Sequence, residues 1–141
     1  VREGITEALS KSGAVYKYDV SIPLAELYTL CDVMRSRLEP IGALVTGFGH
    51  LGDGNLHLNI YTPGRFTKSQ EVHAAIEPFV FEWIAQRRGS ISAEHGIGLM
   101  KPDFLHMSKT APMIHVMRGL KGLLDPNGIL NPHKVLPQRS S

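Results

Sequence analysis

With 141 residues, 43% of them hydrophobic and 20% charged, the chain has the make-up of a globular protein with one buried core and is too short for two independent domains. Its formal net charge of +2 is spread along the chain with no basic stripe, which argues against nucleic-acid binding. No run of about 18 apolar residues is present to span a membrane.

The single cysteine, Cys31, excludes an internal disulfide and a thiolate metal cluster. Its setting in "AELYTLCDVM" reads as a buried thiol on a helix face. The chain begins at Val1 with neither an initiator methionine nor a signal or transit segment, so we expect it to be a piece of a longer protein.

In chain order, "REGITEALSK" reads as a short helix with Arg2 and Thr6 one turn apart. "AVYKYDVSI" alternates and is rich in β formers, which predicts a strand from about Val15 to Ser21. Pro23 suits the first position of the next helix, whose apolar residues Leu24, Leu27, Tyr28, Cys31, Met34 and Leu38 recur at helical spacing. "ALVTGFGH" and "NLHLNIY" read as a pair of strands. A further helix is expected from about Thr67 to Arg87, kinked or divided by Pro78, with Val72, Ala75, Ile76, Phe79, Val80 and Trp83 facing inward. "SISAEHGIG" predicts a short strand entering a glycine-rich loop, and a last helix spans about Ala111 to Leu124. "DPNGILNPHKVLP" closes the chain as a turn, a short strand and an irregular tail. This order favours an α+β fold, an antiparallel sheet with helices packed on one face.

The stretch "GFGHLGDGNLHLNI" carries the first sign of chemistry. Asp53-Gly54 is a strong signal for a two-residue hairpin loop, which would set Gly52 opposite Asn55 and His50 opposite His57. Imidazoles paired in that way stand with Cβ atoms about 4.5–5.5 Å apart, a separation that suits two ligands on one divalent ion. The alternative is that the two histidines are satisfied core or surface residues flanking a turn. A working zinc site usually needs a third protein ligand. Glu94 in "SAEHGIG" would complete a His₂Glu set and leave His95 free to act as a base, provided the backbone there is not a regular strand. Gly96 and Gly98 make such a backbone accessible. Asn59, two residues beyond His57, shares its face. His73, His106, His115 and His133 read as ordinary helical or loop histidines.

Taken together, "GHLGDGNLHLN", "SAEHGIG" and "DPNGILNPHKVLP" resemble the C-terminal domain of FAD-linked oxidases of the vanillyl-alcohol oxidase type, over nearly the whole chain. "REGITEAL" followed by "VYKYDVSIP" is most similar to the group of D-2-hydroxyglutarate dehydrogenases, with D-lactate dehydrogenases of the same family as the alternative. The resemblance implies a domain with a ferredoxin-like element that supplies the substrate and metal site, while the FAD-binding domain is absent from this chain. It implies a divalent metal, usually zinc, on His50, His57 and Glu94, with His95 as catalytic base. It further implies that Arg2, Thr6, Lys17 and Asn59 bind a small 2-hydroxy acid and that Asn131 and Lys134 approach the flavin. On their own, Arg2 and Lys17 read as ordinary solvated charges. "NPHK" stands where many relatives have a glycine before the lysine.

The implied activity is oxidation of a D-2-hydroxy acid with hydride transfer to FAD, in mitochondria. An electron-transfer flavoprotein or a similar carrier would be the acceptor. By itself the chain should be inert. A homodimer and an actin interaction are neither supported nor excluded. Two readings of other classes compete: a stand-alone metallohydrolase using His50, His57 and Glu94, and a non-catalytic interaction module. The "DPNGILNP" tail, which a hydrolase has no reason to carry, weighs against the first.

Overall fold

The computed structural model describes residues 4–138; the predicted substrate residue Arg2 lies outside the described residues. Helix α1 (Gly4–Ser12) runs directly into strand β1 (Gly13–Ser21). A 3-10 turn at Leu24–Glu26 leads into α2 (Leu27–Leu38), followed by β2 (Leu44–His50) and β3 (Asn55–Pro63). Helices α3 (Gln70–Ile76) and α4 (Phe79–Gln86), a 3-10 stretch at Pro102–Met107 and helix α5 (Ala111–Leu124) complete the order.

The strands form an antiparallel sheet in the order β1-β3-β2, so β3 is central. Successive side chains of a strand point to opposite faces, and the pattern of residues divides them cleanly. One face presents Tyr16, Tyr18, Val20, Val45, Leu56, Leu58 and Ile60 to the core. Leu30, Cys31, Met34 and Leu38 from α2, Val72 and Ile76 from α3, and Val80, Phe81 and Ile84 from α4 fill that core. The opposite face carries Lys17 and Asp19 of β1, Asn55, His57 and Asn59 of β3, and Thr46, Phe48 and His50 of β2. Helix α1 lies against β1 and β3 and delivers Thr6 to the cavity on this polar face.

The α+β class and the helix-covered sheet agree with the sequence reading, as does the division of the expected long helix at Pro78 into α3 and α4, where the Glu77–Pro78 peptide is cis. Several details differ. Leu24 and Tyr28, expected in the buried stripe of α2, are exposed: Leu24 sits in the 3-10 turn that precedes the helix, and Leu30 takes the inward place instead. The strand expected in "SISAEHGIG" is reduced to an isolated antiparallel bridge between Ser90 and Ser21. It marks the edge where the fourth strand of a βαββαβ unit would stand. No strand forms in the described tail, where Asn131, His133 and Val135 adopt positive φ.

The hairpin register also differs. The loop is not the pair Asp53-Gly54 but Leu51–Gly54, a 3-10 turn closed by Gly54 at φ 69°. His50 therefore faces Asn55, and His57 faces Phe48. The reason is tertiary: Ile22 N–H donates to Gly54 O (3.0 Å) and Ser21 Oγ–H to Asp53 O (3.3 Å), tying the loop to the end of β1. Asp53 Oδ1 accepts the Asn55 N–H at 3.2 Å and finishes the turn. A two-residue slip preserves the face, so His50 and His57 remain on one side as diagonal neighbours.

Candidate functional site

A cavity of about 310 Å³ opens on the polar face of the sheet. Its walls include Thr6 from α1, Lys17 from β1, Phe48 and His50 from β2, His57 and Asn59 from β3, and Glu94 and His95 from the loop after α4. Seven residues singled out in the sequence (Thr6, Lys17, His50, His57, Asn59, Glu94 and His95) thus meet in one place. The diagonal pair His50 and His57 have ring centroids 5.7 Å apart, and His57 and His95 stand 6.0 Å apart with planes inclined by 27°. Glu94 Oε1 reaches His50 Nε2 at 3.1 Å.

The loop that presents Glu94 and His95 has no regular structure, yet it is pegged at many points. Ser90 and Ser21 exchange backbone hydrogen bonds at 2.7 and 3.0 Å. Ile91 N–H donates to Ser108 Oγ (2.9 Å), and Lys101 Nζ donates to Ile91 O (2.8 Å). Burial holds the Lys101 ammonium below the ordinary lysine pKa. The central peg is Asp19, a residue to which the sequence reading gave no role. It is 1% exposed. Its Oδ2 accepts the N–H groups of Ala93 (3.1 Å), Glu94 (2.6 Å) and His95 (2.8 Å). Its Oδ1 accepts from Asn55 Nδ2 at 2.9 Å and lies 3.5 Å from His57 Nδ1. Burial pushes the Asp19 carboxyl upward, but the His95 and Glu94 N–H groups and the Asn55 amide outweigh it, and the group titrates below the ordinary aspartate range.

Among the described residues, two overlapping sets could hold a cation. One ligand atom each from His50, His57 and Glu94 lie within 4.8 Å of one another, and the same is true of Asp19, His57 and His95. Hydrogen-bond supply separates them. Both oxygens of Asp19 already accept, Oδ2 from three backbone N–H groups and Oδ1 from the Asn55 amide. His50, His57 and Glu94 all line the cavity, and a His₂-carboxylate set suits a catalytic divalent ion such as zinc. Asn59 lines the cavity and is 2% exposed, and its buried Nδ2 has no hydrogen-bond partner among the described residues. Such a group costs stability unless a ligand oxygen engages it.

The predicted flavin residues are elsewhere. Asn131 and Lys134 line a second cleft, of about 480 Å³, against Met117, Leu120 and Lys121 of α5. His73, His106, His115 and His133 are not among the residues lining the first cavity.

Comparison with known proteins then places the chain. The profile of the family described as FAD linked oxidases, C-terminal domain, matches residues 1–135. Over 139 residues the chain is 59% identical to a probable D-2-hydroxyglutarate dehydrogenase, mitochondrial, from Oryza sativa subsp. indica, covering 98% of this chain and 24% of the relative. It is 56% identical over 137 residues to the mitochondrial D-2-hydroxyglutarate dehydrogenase of Bos taurus, covering 97% and 25%. A putative mitochondrial D-lactate dehydrogenase of Schizosaccharomyces pombe is 51% identical over 146 residues, covering 96% and 27%. The chain thus spans about a quarter of the length of these curated relatives. With a profile match over nearly all its residues, the chain belongs to the family of FAD linked oxidases, C-terminal domain.

Proposed function

We propose that this chain forms the substrate and metal site of a mitochondrial FAD-linked dehydrogenase that oxidises a D-2-hydroxy acid, D-2-hydroxyglutarate foremost, to the 2-oxo acid. The observation that carries the reading is the convergence of the His50, His57 and Glu94 donor atoms within 4.8 Å beside Lys17, Asn59 and His95. In an FAD-linked oxidase domain, that set of groups matches a small hydroxy acid better than a hydrolysable substrate.

His50, His57 and Glu94 would hold the divalent ion, which when bound lowers the pKa of the substrate hydroxyl and anchors its neighbouring carboxylate. His95 takes the hydroxyl proton as general base, from a loop whose position is fixed by backbone hydrogen bonds. As the O–H bond breaks, the C2–H bond releases its electron pair with the hydrogen and a C=O bond forms. The flavin of the full-length protein would supply the two-electron acceptor for that hydride. Lys17, exposed at the cavity wall, supplies a cation for the far carboxylate of a dicarboxylic substrate. The Asn59 amide donates to a substrate oxygen. Arg2 and Thr6 join them in binding the acid, and Asn131 and Lys134 contact the flavin; the roles of these four rest on family resemblance. An electron-transfer flavoprotein or similar carrier would reoxidise the flavin.

The test is turnover of D-2-hydroxyglutarate and D-lactate by the full-length flavoprotein, with and without chelator, alongside its metal content. Chelation should abolish turnover of the D but not create turnover of the L acids, and the ion should be lost together in His50→Ala, His57→Ala and Glu94→Ala. Full activity after chelation, or unchanged metal in all three variants, overturns the metal reading. A relative named as a putative D-lactate dehydrogenase keeps D-lactate as the second substrate reading. Lys17→Ala separates the two: losing a charged hydrogen bond should cut kcat/KM for D-2-hydroxyglutarate by about 10- to 100-fold and spare D-lactate. Equal losses on both acids count against the dicarboxylate.

A further inference from the structure

We propose that Asp19 is the positioning residue of this site: one buried carboxylate sets both the loop that carries Glu94 and His95 and the ring of His57. The part that concerns the ion rests on the metal reading proposed above; the part that concerns the loop stands on geometry alone.

Glu94 and His95 are adjacent, yet both side chains reach the same cavity. A strand would send them to opposite faces, so the backbone between them must be bent and then held. The N–H groups of Ala93, Glu94 and His95 all converge on Oδ2 of Asp19, and the Ala93 N–H also reaches Asp19 O at 3.2 Å. Successive N–H groups turned toward one point form a concave anion site. Here the anion comes from the protein itself, delivered from β1 at 1% exposure. The other oxygen lies 3.5 Å from Nδ1 of His57, directly across the β1–β3 ladder. A carboxylate in that place favours the proton on Nδ1 and leaves the lone pair on Nε2, the arrangement by which outer carboxylates orient histidine ligands. Asn55 Nδ2 steadies the same oxygen at 2.9 Å. Asp19 therefore connects a strand, a hairpin and a loop that are far apart in sequence, and it does so as an acceptor only.

Asp19→Asn keeps the shape and reverses half of the polarity: whichever way the amide turns, its NH₂ meets N–H donors or Nδ1–H of His57. The experiment uses the full-length flavoprotein and reads hydrogen exchange of the amides at 93–95, divalent-ion affinity with zinc as the probe, and kcat at saturating zinc. In Asp19→Asn, exchange at 93–95 should rise by about tenfold or more as charge-assisted hydrogen bonds are lost, while α2 and β3 keep their protection. Zinc affinity should fall by about 10- to 100-fold, and kcat should stay depressed when the ion is saturating, because His95 has lost its mooring. A merely structural role would loosen α2 and β3 as well, and that outcome overturns the proposal. Wild-type exchange at 93–95 in a folded Asp19→Asn protein also overturns it. Should that variant fail to fold, Asn55→Ala, which removes one of the donors that steady the carboxylate, should raise exchange at 93–95 severalfold; no rise there counts against Asp19. If the wild-type protein itself binds no zinc, the metal reading falls, and exchange at 93–95 decides the Asp19 question alone.

Discussion

The most informative single residue after Asp19 is Asn59. It sits on the central strand opposite Lys17 on one side and Thr46 on the other, 2% exposed, with an amide nitrogen that no acceptor among the described residues reaches. A buried donor without a partner lowers stability by about 1–3 kcal/mol. Replacing Asn59 with leucine, of similar size and without the donor, should therefore leave the unfolding midpoint unchanged or raise it. The same change should raise KM for the hydroxy acid about tenfold or more by removing a hydrogen bond to a charged oxygen. A fall in stability together with an unchanged KM would make Asn59 a structural residue and remove it from the site. The histidines and Glu94 were legible because their types announce chemistry. Asp19 was not, since a lone acid in "YKYDVS" looks like a solvent-facing residue of an alternating strand. Its partners arrive with a loop some 74–76 positions later, whose N–H groups converge on its carboxylate.

Among the elements, helices and strands with a strong apolar period were readable, and those whose form depends on distant partners were not. α2 and the divided α3–α4 pair follow from their own sequence, because helical spacing and Pro78 act locally. The hairpin register depended on Ile22 and Ser21 holding the 51–54 loop, and the Glu94–His95 segment depended on Asp19, so neither could be settled from neighbouring residues. The contact of β2 with α2 shows the same dependence. A Cβ placed on Gly47 would collide with Cys31 Sγ and press on Leu56 Cδ1 at 3.1 Å. Cys31 is 4% exposed and packed in the core. Gly47→Ala should therefore cost about 1–3 kcal/mol through overpacking. Adding Cys31→Ala should return part of that loss, because the second change vacates the space the first one needs. The cycle of the two single variants and the double variant, followed by denaturant unfolding, measures the coupling. Strict additivity would show that Gly47 is tolerated for its backbone freedom and not for the close approach.

At the scale of the whole molecule, the apolar surface is unevenly distributed. The sheet and α2–α4 enclose a dense core, whereas α5 buries only Ile114 among its residues. Met113, Val116, Leu120, Leu123 and Leu124 recur on α5 at helical spacing and are 48–77% exposed; Ile129 and Leu130 extend the patch at 73% and 60%. A contiguous apolar stripe of that kind is uncommon on a monomeric surface and tends to find a partner. Expressed alone, the 141-residue chain offers it only other copies of itself. It should therefore sediment as a concentration-dependent mixture of monomer and larger species and bind a hydrophobic dye. Replacing Leu120 and Leu123 with lysine should return it to a monomer. The unfolding midpoint should change little, since both side chains already stand in water and their replacement opens no cavity. The zinc affinity proposed for the His50–His57–Glu94 set should also stay the same, because those residues stand on the sheet and the 90–98 loop and not on α5. A chain that sediments as a monomer at all concentrations would show that the stripe is too discontinuous to drive association. A lysine variant that also loses the proposed zinc affinity would show that α5 and the cavity on the sheet are energetically one unit.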